Sequence, residues 1–160
     1  MAVLNILKEQ NPKDNEALRK KSRPVEKITP RILTLLDDMH ETLVQAEGIG
    51  LAAPQIGVLR RIVIVEVGED KFEMINPEII ESSGEQEAIE GCLSVPDLAG
   101  LVKRPERVKV RALDRNGKEY TAEGTGLLAR CFCHELDHLD GVLYIDKATE
   151  TYTPDELEEE

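Results

Sequence analysis

The chain has 160 residues, a formal net charge of −12 and 41% hydrophobic residues. This length suits a single domain with a real hydrophobic core, and the acidic balance argues against general nucleic-acid or anionic-membrane binding. No apolar run approaches the ~20 residues of a membrane span, and no basic segment introduces a signal peptide. Three cysteines fit a reducing compartment, so we expect a cytoplasmic protein.

The first well-marked element is a helix that begins after Thr29. Thr29 is a typical N-cap and Pro30 suits the first helical position. Apolar residues then recur at helical spacing, namely Ile32, Leu36, Met39 and Leu43. Gly48 is predicted to end this helix. His40 is interpreted as a polar residue on it rather than a metal ligand.

The middle of the chain favours β-strands. They are predicted at 61–67, 71–76, 78–81, 107–114 and 118–123. Asn116-Gly117 between the last two indicates a hairpin turn. We therefore expect an α+β fold with antiparallel β-sheets packed around a central helix, plus an N-terminal helix. Residues 1–147 are predicted to form one domain, and residues 148–160 an acidic, flexible tail.

A late helix carries a His-Glu-x-x-His motif from His134 to His138. The spacing of four places both imidazoles on one face, where they can share a divalent metal. Glu135 is turned roughly 100° from His134, so it can act as a general base without being a ligand. Thr125 is a plausible N-cap, and Gly141 a plausible end. The alternative is a surface helix with two solvated histidines.

A catalytic site of this kind needs a third protein ligand. Cys131 is on the same helical face, but seven residues of helix span roughly 10 Å, so we expect it on the pocket wall instead. Cys133 points away from His134. Cys92 follows a glycine in a segment predicted to be irregular, where its thiolate could reach the metal or remain a buried, inert thiol.

Three short motifs occur in a fixed order. They are Gly48-Ile49-Gly50-Leu51-Ala52-Ala53-Pro54-Gln55, Glu90-Gly91-Cys92-Leu93-Ser94 and His134-Glu135-Leu136-Asp137-His138. Together they resemble the signature of the peptide deformylase family, and the resemblance extends over about residues 18–147. It implies a metal-dependent hydrolase that removes the N-terminal formyl group from formyl-methionyl nascent polypeptides and releases formate.

The resemblance also assigns roles to particular residues. The implied metal ligands are Cys92, His134 and His138. The implied catalytic groups are the base Glu135 and two oxyanion donors, the side-chain amide of Gln55 and the backbone N–H of Leu93. The implied substrate contacts are Ile49, Gly50 and Gly91, to which the wall residue Cys131 is added.

The resemblance further implies one divalent metal ion per chain. Fe²⁺ is the expected ion, and Zn²⁺, Ni²⁺ and Co²⁺ are alternatives that suit one sulfur and two imidazole ligands. The expected partners are N-formylated nascent peptides, with transient proximity to the ribosome. We expect a monomer with no direct nucleic-acid binding and no membrane association.

The chain departs from the family pattern at two places. Cys133 stands where the family commonly has Gln, and residues 97–100 lack the Arg that some members carry near the substrate exit. Arg104 is predicted to pair with Asp137 below the metal helix. Two other hypotheses compete with the deformylase: a zinc peptidase with the same helical motif, and a metal-stabilised binding module without activity.

Overall fold

The structure is a computed structural model that describes residues 2–158. The helices are α1 (Pro12–Leu18), α2 (Pro30–Gln45), α3 (Gly126–Leu139) and α4 (Pro154–Glu158). The strands are β1 (Gly50–Ala52), β2 (Ile62–Val67), β3 (Asp70–Ser83), β4 (Gln86–Cys92), β5 (Val95–Arg104), β6 (Arg107–Leu113), β7 (Glu119–Thr125) and β8 (Glu150–Tyr152). Among the described helices, none is both long and apolar enough to cross a membrane.

The strands form two antiparallel sheets. One has five strands in the order β1-β2-β3-β6-β7, and the other has three in the order β4-β5-β8. Side chains alternate along β2, so that Val63 and Val65 pack on the side of α3, while Ile62 and Ile64 pack on the side of α2. The larger sheet therefore has a helix on each face, which confirms the α+β prediction.

Helix α2 begins as predicted but ends slightly differently. The Thr29 hydroxyl accepts a hydrogen bond from the Ile32 N–H at 3.4 Å, and Pro30 is the first helical residue. The helix ends at Gln45, and the residue in left-handed conformation is Glu47, with φ of 57°. Gly48 instead closes the turn by donating its N–H to the Leu43 carbonyl at 3.1 Å.

Helix α3 has the predicted boundaries. Thr125 is its extended N-cap, and Gly141 follows its end with φ of 76°. A Cβ at position 141 would lie 2.3 Å from the Arg19 carbonyl oxygen, so the chain needs glycine there for space as well as for backbone conformation. Unusually for a helix with charged groups, α3 buries His134, Glu135 and His138. Such groups need specific partners in the interior.

Several strands differ from the sequence prediction. The segments predicted at 71–76 and 78–81 form one long strand, β3, in which the pairing shifts between Ile75 and Glu78. Strands β1, β4, β5 and β8 were not predicted. Strand β8 lies within the segment 148–160 and pairs with β5. The domain boundary at residue 147 and the flexibility of the tail stay predictions.

His40 joins α2 to two strands, a role that its sequence context did not reveal. Its Nδ1 lies 2.8 Å from a Glu66 carboxylate oxygen, and its Nε2 lies 2.8 Å from one of Glu73. A neutral imidazole has only one N–H, so both contacts are satisfied together when the ring is protonated. Arg115 donates two further hydrogen bonds to Glu73, at 2.8 and 2.6 Å.

This cluster is expected to make stability depend on pH. The hydrogen bonds from Arg115 lower the pKa of Glu73 from 4.5 to about 2, so its contribution to the free energy of unfolding is present above pH 4.5 and is lost toward pH 2. The hydrogen bond with Glu73 raises the pKa of His40 above 6.5. Its contribution is therefore full below pH 6.5 and is lost as the pH rises through that raised value.

Denaturant unfolding of the wild type and of Glu73→Gln between pH 2 and pH 9 measures this dependence. The stability difference between the two proteins should be largest between pH 4.5 and 6.5 and should shrink on either side. Glu69→Gln is the control, because Glu69 is exposed in the turn before β3. A stability difference that is constant over the whole range would contradict the prediction.

Candidate metal centre and active site

Three predicted ligands meet in the structure. Cys92 is the last residue of β4, at the tight connection to β5 where it pairs with Val95, so its segment is more regular than predicted. His134 and His138 lie one turn apart on α3. Their ligand atoms and the Cys92 sulfur all lie within 4.8 Å of one another. Within residues 2–158, this is the one such group of three or more His, Cys, Asp or Glu residues.

The residues present fit a divalent transition metal. The Cys92 Sγ is 3.4 Å from the His138 Nε2. The Nδ1 of His134 is 2.9 Å from a Glu90 carboxylate oxygen, which leaves its Nε2 to face the cluster. A thiolate with two imidazoles matches the donors of catalytic zinc or ferrous sites. Two buried imidazoles beside a sulfur are also a poor arrangement for apolar packing alone.

Glu90 is the centre of a buried charge network that the sequence analysis did not single out. It accepts two hydrogen bonds from Arg104, at 2.9 and 3.0 Å, and one from Arg130. Burial would raise the pKa of Glu90, but the hydrogen bonds with His134 and Arg104 outweigh it and bring the pKa to about 2. An ionised Glu90 fixes the tautomer and orientation of His134. Arg104 also contacts Asp137 at 2.6 Å, as predicted.

Glu135 lies in the interior next to the cluster. Burial raises the pKa of its carboxyl to about 7, which is the range that a general base needs near neutral pH. A dication beside it would lower that value again. Its Oε1 is buried and has no hydrogen-bond partner among the described residues. A Cβ at Gly50 would lie 2.5 Å from the other carboxylate oxygen, so glycine at that position lets β1 approach the base.

The side-chain amide of Gln55 lies beside the same metal cluster. It lies in a short 3-10 turn, Ala53–Ile56, and its Oε1 accepts the Ala52 N–H at 2.9 Å. Its Nε2 is 3.1 Å from the Ser94 hydroxyl and 3.6 Å from the Cys92 sulfur. The amide is therefore held at its oxygen end, and its N–H groups face the metal cluster.

A cleft of about 600 Å³ opens onto the cluster. Its lining contains the predicted contacts Ile49, Gly50, Gly91 and Cys131, together with Leu93. One wall is β1, the edge of the larger sheet, and the opposite wall is β4, the edge of the smaller sheet. Two strand edges thus border the cleft, and each offers backbone groups to an extended chain.

Two cysteines of α3 occupy different environments. Cys131 is on the cleft wall, with its sulfur 3.7 Å from the Ile49 carbonyl oxygen, and burial raises its pKa well above 9.0. Cys131 is not part of the convergent group of ligand atoms. Cys133 is buried outside the ligand cluster, and burial also raises its pKa.

The fold and the site together define a metal-dependent hydrolase with a helical His-Glu-x-x-His motif. The profile of the family described as Polypeptide deformylase matches residues 3–153. A peptide deformylase of Acetivibrio thermocellus is 57% identical over 144 residues, which are 90% of this chain and 85% of the relative. That of Thermoanaerobacter pseudethanolicus is 56% identical over 145 residues, 91% of each chain.

Solved structures agree with these relatives. The crystal structure of a peptide deformylase from Legionella pneumophila has a TM-score of 0.87 and 44% identity, covering 92% of this chain and 87% of that one. The Thermotoga maritima peptide deformylase has a TM-score of 0.87 and 36% identity, covering 94% and 100%. This chain belongs to the polypeptide deformylase family, and it is a metal-dependent hydrolase.

Proposed function

We propose that this protein removes the N-terminal formyl group from formyl-methionyl polypeptides and releases formate. The observation that carries the proposal is the convergence of the three ligand atoms within 4.8 Å, with Glu135 and the Gln55 amide beside them. Neither competing hypothesis explains this arrangement as well. A zinc peptidase gives no role to Cys92, and a binding module does not need a base and an oxyanion donor.

Cys92, His134 and His138 would hold the divalent ion. When bound, such an ion supplies Lewis acidity, which acidifies water and polarises a carbonyl oxygen. Glu90 supports this set by holding His134 through its Nδ1, and the hydrogen bonds of Glu90 with His134 and Arg104 keep its carboxylate charged. The helix therefore presents the His134 imidazole in a fixed orientation before substrate arrives.

Glu135 takes the proton of the attacking water and returns it to the leaving amine. Its buried position excludes bulk water from this transfer. The negative charge that develops on the formyl oxygen is stabilised by the Gln55 side-chain N–H and the Leu93 backbone N–H. Because the Gln55 amide is already fixed by Ala52 and Ser94, little reorganisation is needed in the transition state.

The substrate backbone enters the cleft as an extended strand. It lies between the edges of β1 and β4, where Ile49, Gly50 and Gly91 offer backbone hydrogen bonds. The methionine side chain fits the apolar part of the lining, which includes Ile89, Leu127 and Cys131. Gly50 keeps the formyl group close to Glu135, because any side chain at that position would collide with the carboxylate.

Gln55→Met is expected to lower kcat by about 10²–10³-fold, the usual effect of removing one oxyanion donor. Methionine keeps the volume of the side chain but has no N–H to donate. Steady-state kinetics with formyl-Met-Ala-Ser and elemental analysis of the same sample measure the effect, and metal content should stay at the wild-type level. An unchanged kcat would remove Gln55 from the oxyanion site.

The function itself is tested by formate release from formyl-Met-Ala-Ser, using freshly prepared protein loaded with ferrous iron. Formate with an otherwise intact peptide supports the deformylase. Cleavage of an internal bond without formate would identify a peptidase instead. Binding of the peptide with neither product would identify a binding module.

We further propose that Fe²⁺ is the physiological ion and that the protein acts as a cytoplasmic monomer close to the ribosome. The donor set suits Fe²⁺ as well as Zn²⁺, Ni²⁺ and Co²⁺, and all three cysteines are free thiols. The net charge of −12 opposes direct contact with RNA. Elemental analysis of anaerobically purified protein, alongside activity and light scattering, tests the ion and the monomer.

A further inference from the structure

The N-terminal segment places a lysine at the cleft. Within this segment, the Leu7 N–H donates to the Gln55 carbonyl at 2.7 Å, and the Glu9 N–H donates to the Ser94 carbonyl at 2.8 Å. The Lys8 N–H between them is held by the Asp14 carboxylate at 3.0 Å. The chain on both sides of Lys8 is thus bonded to the two segments that carry the proposed oxyanion donors, and Lys8 lines the cleft.

Among the cations of the described cleft lining, Lys8 is the one that makes no ion pair. The other cations there are His134, which belongs to the metal cluster, and Arg130, which is buried and bonded to Gln86, Glu90 and the Val102 carbonyl. Lys8 makes one contact, from its Nζ to the Leu93 carbonyl oxygen at 3.3 Å, and no ion pair within residues 2–158. An ammonium has three donors, so two remain for a ligand.

The position of the ammonium indicates which part of a substrate it would meet. Bond geometry keeps the N and O atoms of Leu93 within about 4 Å of each other, so the Lys8 Nζ lies within roughly 7 Å of the proposed oxyanion donor. An extended peptide advances about 3.3 Å per residue. The residue that follows methionine is two such steps from the formyl group, so an acidic side chain on it is within reach of the ammonium at the cleft wall.

We propose that Lys8 is a specificity residue that favours an acidic side chain directly after the formyl-methionine. The inference rests on the proposed function, since it concerns the same cleft. The electrostatic field of the whole protein opposes this preference, because the net charge of −12 repels acidic peptides. The proposed preference is therefore a local effect of the Lys8 ammonium. Glu47, an exposed residue of the same lining, would act in the opposite direction.

The test compares kcat/KM for formyl-Met-Asp-Ser and formyl-Met-Asn-Ser, which differ in charge but hardly in shape. Lys8→Met should lower the Asp/Asn ratio about threefold to fivefold, the size expected for a solvent-exposed ion pair, and the change should lie in KM. Lys8→Glu should lower the ratio further. Added salt should reduce the wild-type ratio toward that of Lys8→Met.

Lys13→Met is the matched control, because Lys13 is exposed on α1 and does not line the cleft. It removes the same charge and should leave the ratio at the wild-type value. If Lys8→Met slows both peptides equally, the ammonium only supports the Leu93 backbone, and the inference is overturned. If the wild type releases no formate even from the Asn peptide, the proposed function has failed instead.

Discussion

Glu135→Ala is expected to lower kcat by roughly 10²–10⁴-fold, the range usually supplied by a positioned general acid or base, while metal content is unchanged. The carboxylate is not among the three ligand groups that converge on one another, so its removal leaves the metal centre intact. Burial raises its pKa to about 7, which is in the range that a general base needs near neutral pH.

Formate release and elemental analysis on the same preparation measure both halves of this prediction. Glu87→Ala is a suitable control, because Glu87 is exposed on β4 and lies outside the cleft lining. It should keep full activity. A Glu135→Ala protein that deformylates as fast as the wild type would show that another group takes the proton.

Cys92→Ala is expected to lose both bound metal and activity. Two imidazoles from one helix remain, but the only ligand from β4 is gone. Loss of an outer partner of a ligand costs roughly 10–100-fold in metal affinity, and loss of a ligand itself should cost more. Elemental analysis after desalting, followed by titration with Zn²⁺ or Co²⁺, measures the change.

Cys133→Ala is the matched control for this experiment. It removes a thiol from the metal helix itself, one residue from His134, yet Cys133 is not part of the convergent group. Its metal content should equal that of the wild type. Stoichiometric metal in Cys92→Ala, or metal loss in Cys133→Ala, would mean that the wrong thiol has been assigned.

The predictions that succeeded from the residues alone concern local geometry. The spacing of His134 and His138, and the glycine that ends α3, depend only on residues within a few turns of one another. The Cys92 contact is different in kind, because β4 and α3 are distant in the sequence. Residue-level reasoning left it undecided between ligand and buried thiol, and the family resemblance supplied the ligand assignment. In the structure the three ligand atoms lie within 4.8 Å of one another, which supports the assignment as a proposal.

The failures have physical causes as well. Strand β4 has the sequence Gln-Glu-Ala-Ile-Glu-Gly-Cys, whose charged and glycine residues obscure a strand pattern, and its pairing with β5 is a tertiary effect. The roles of Glu90 and His40 were missed because their partners come from other elements. The local sequence does not indicate that three cationic side chains surround Glu90 or that two carboxylates contact His40.

The two strand edges that border the cleft have a consequence for timing. In the binding mode proposed above, a polypeptide lies between β1 and β4 only while its first residues are extended and unpaired. Once that end is incorporated into a sheet or helix of its own, its backbone groups are already used and it can no longer enter. The enzyme therefore competes with the folding of its own substrate, and proteins whose N-termini fold early should retain more of their formyl groups.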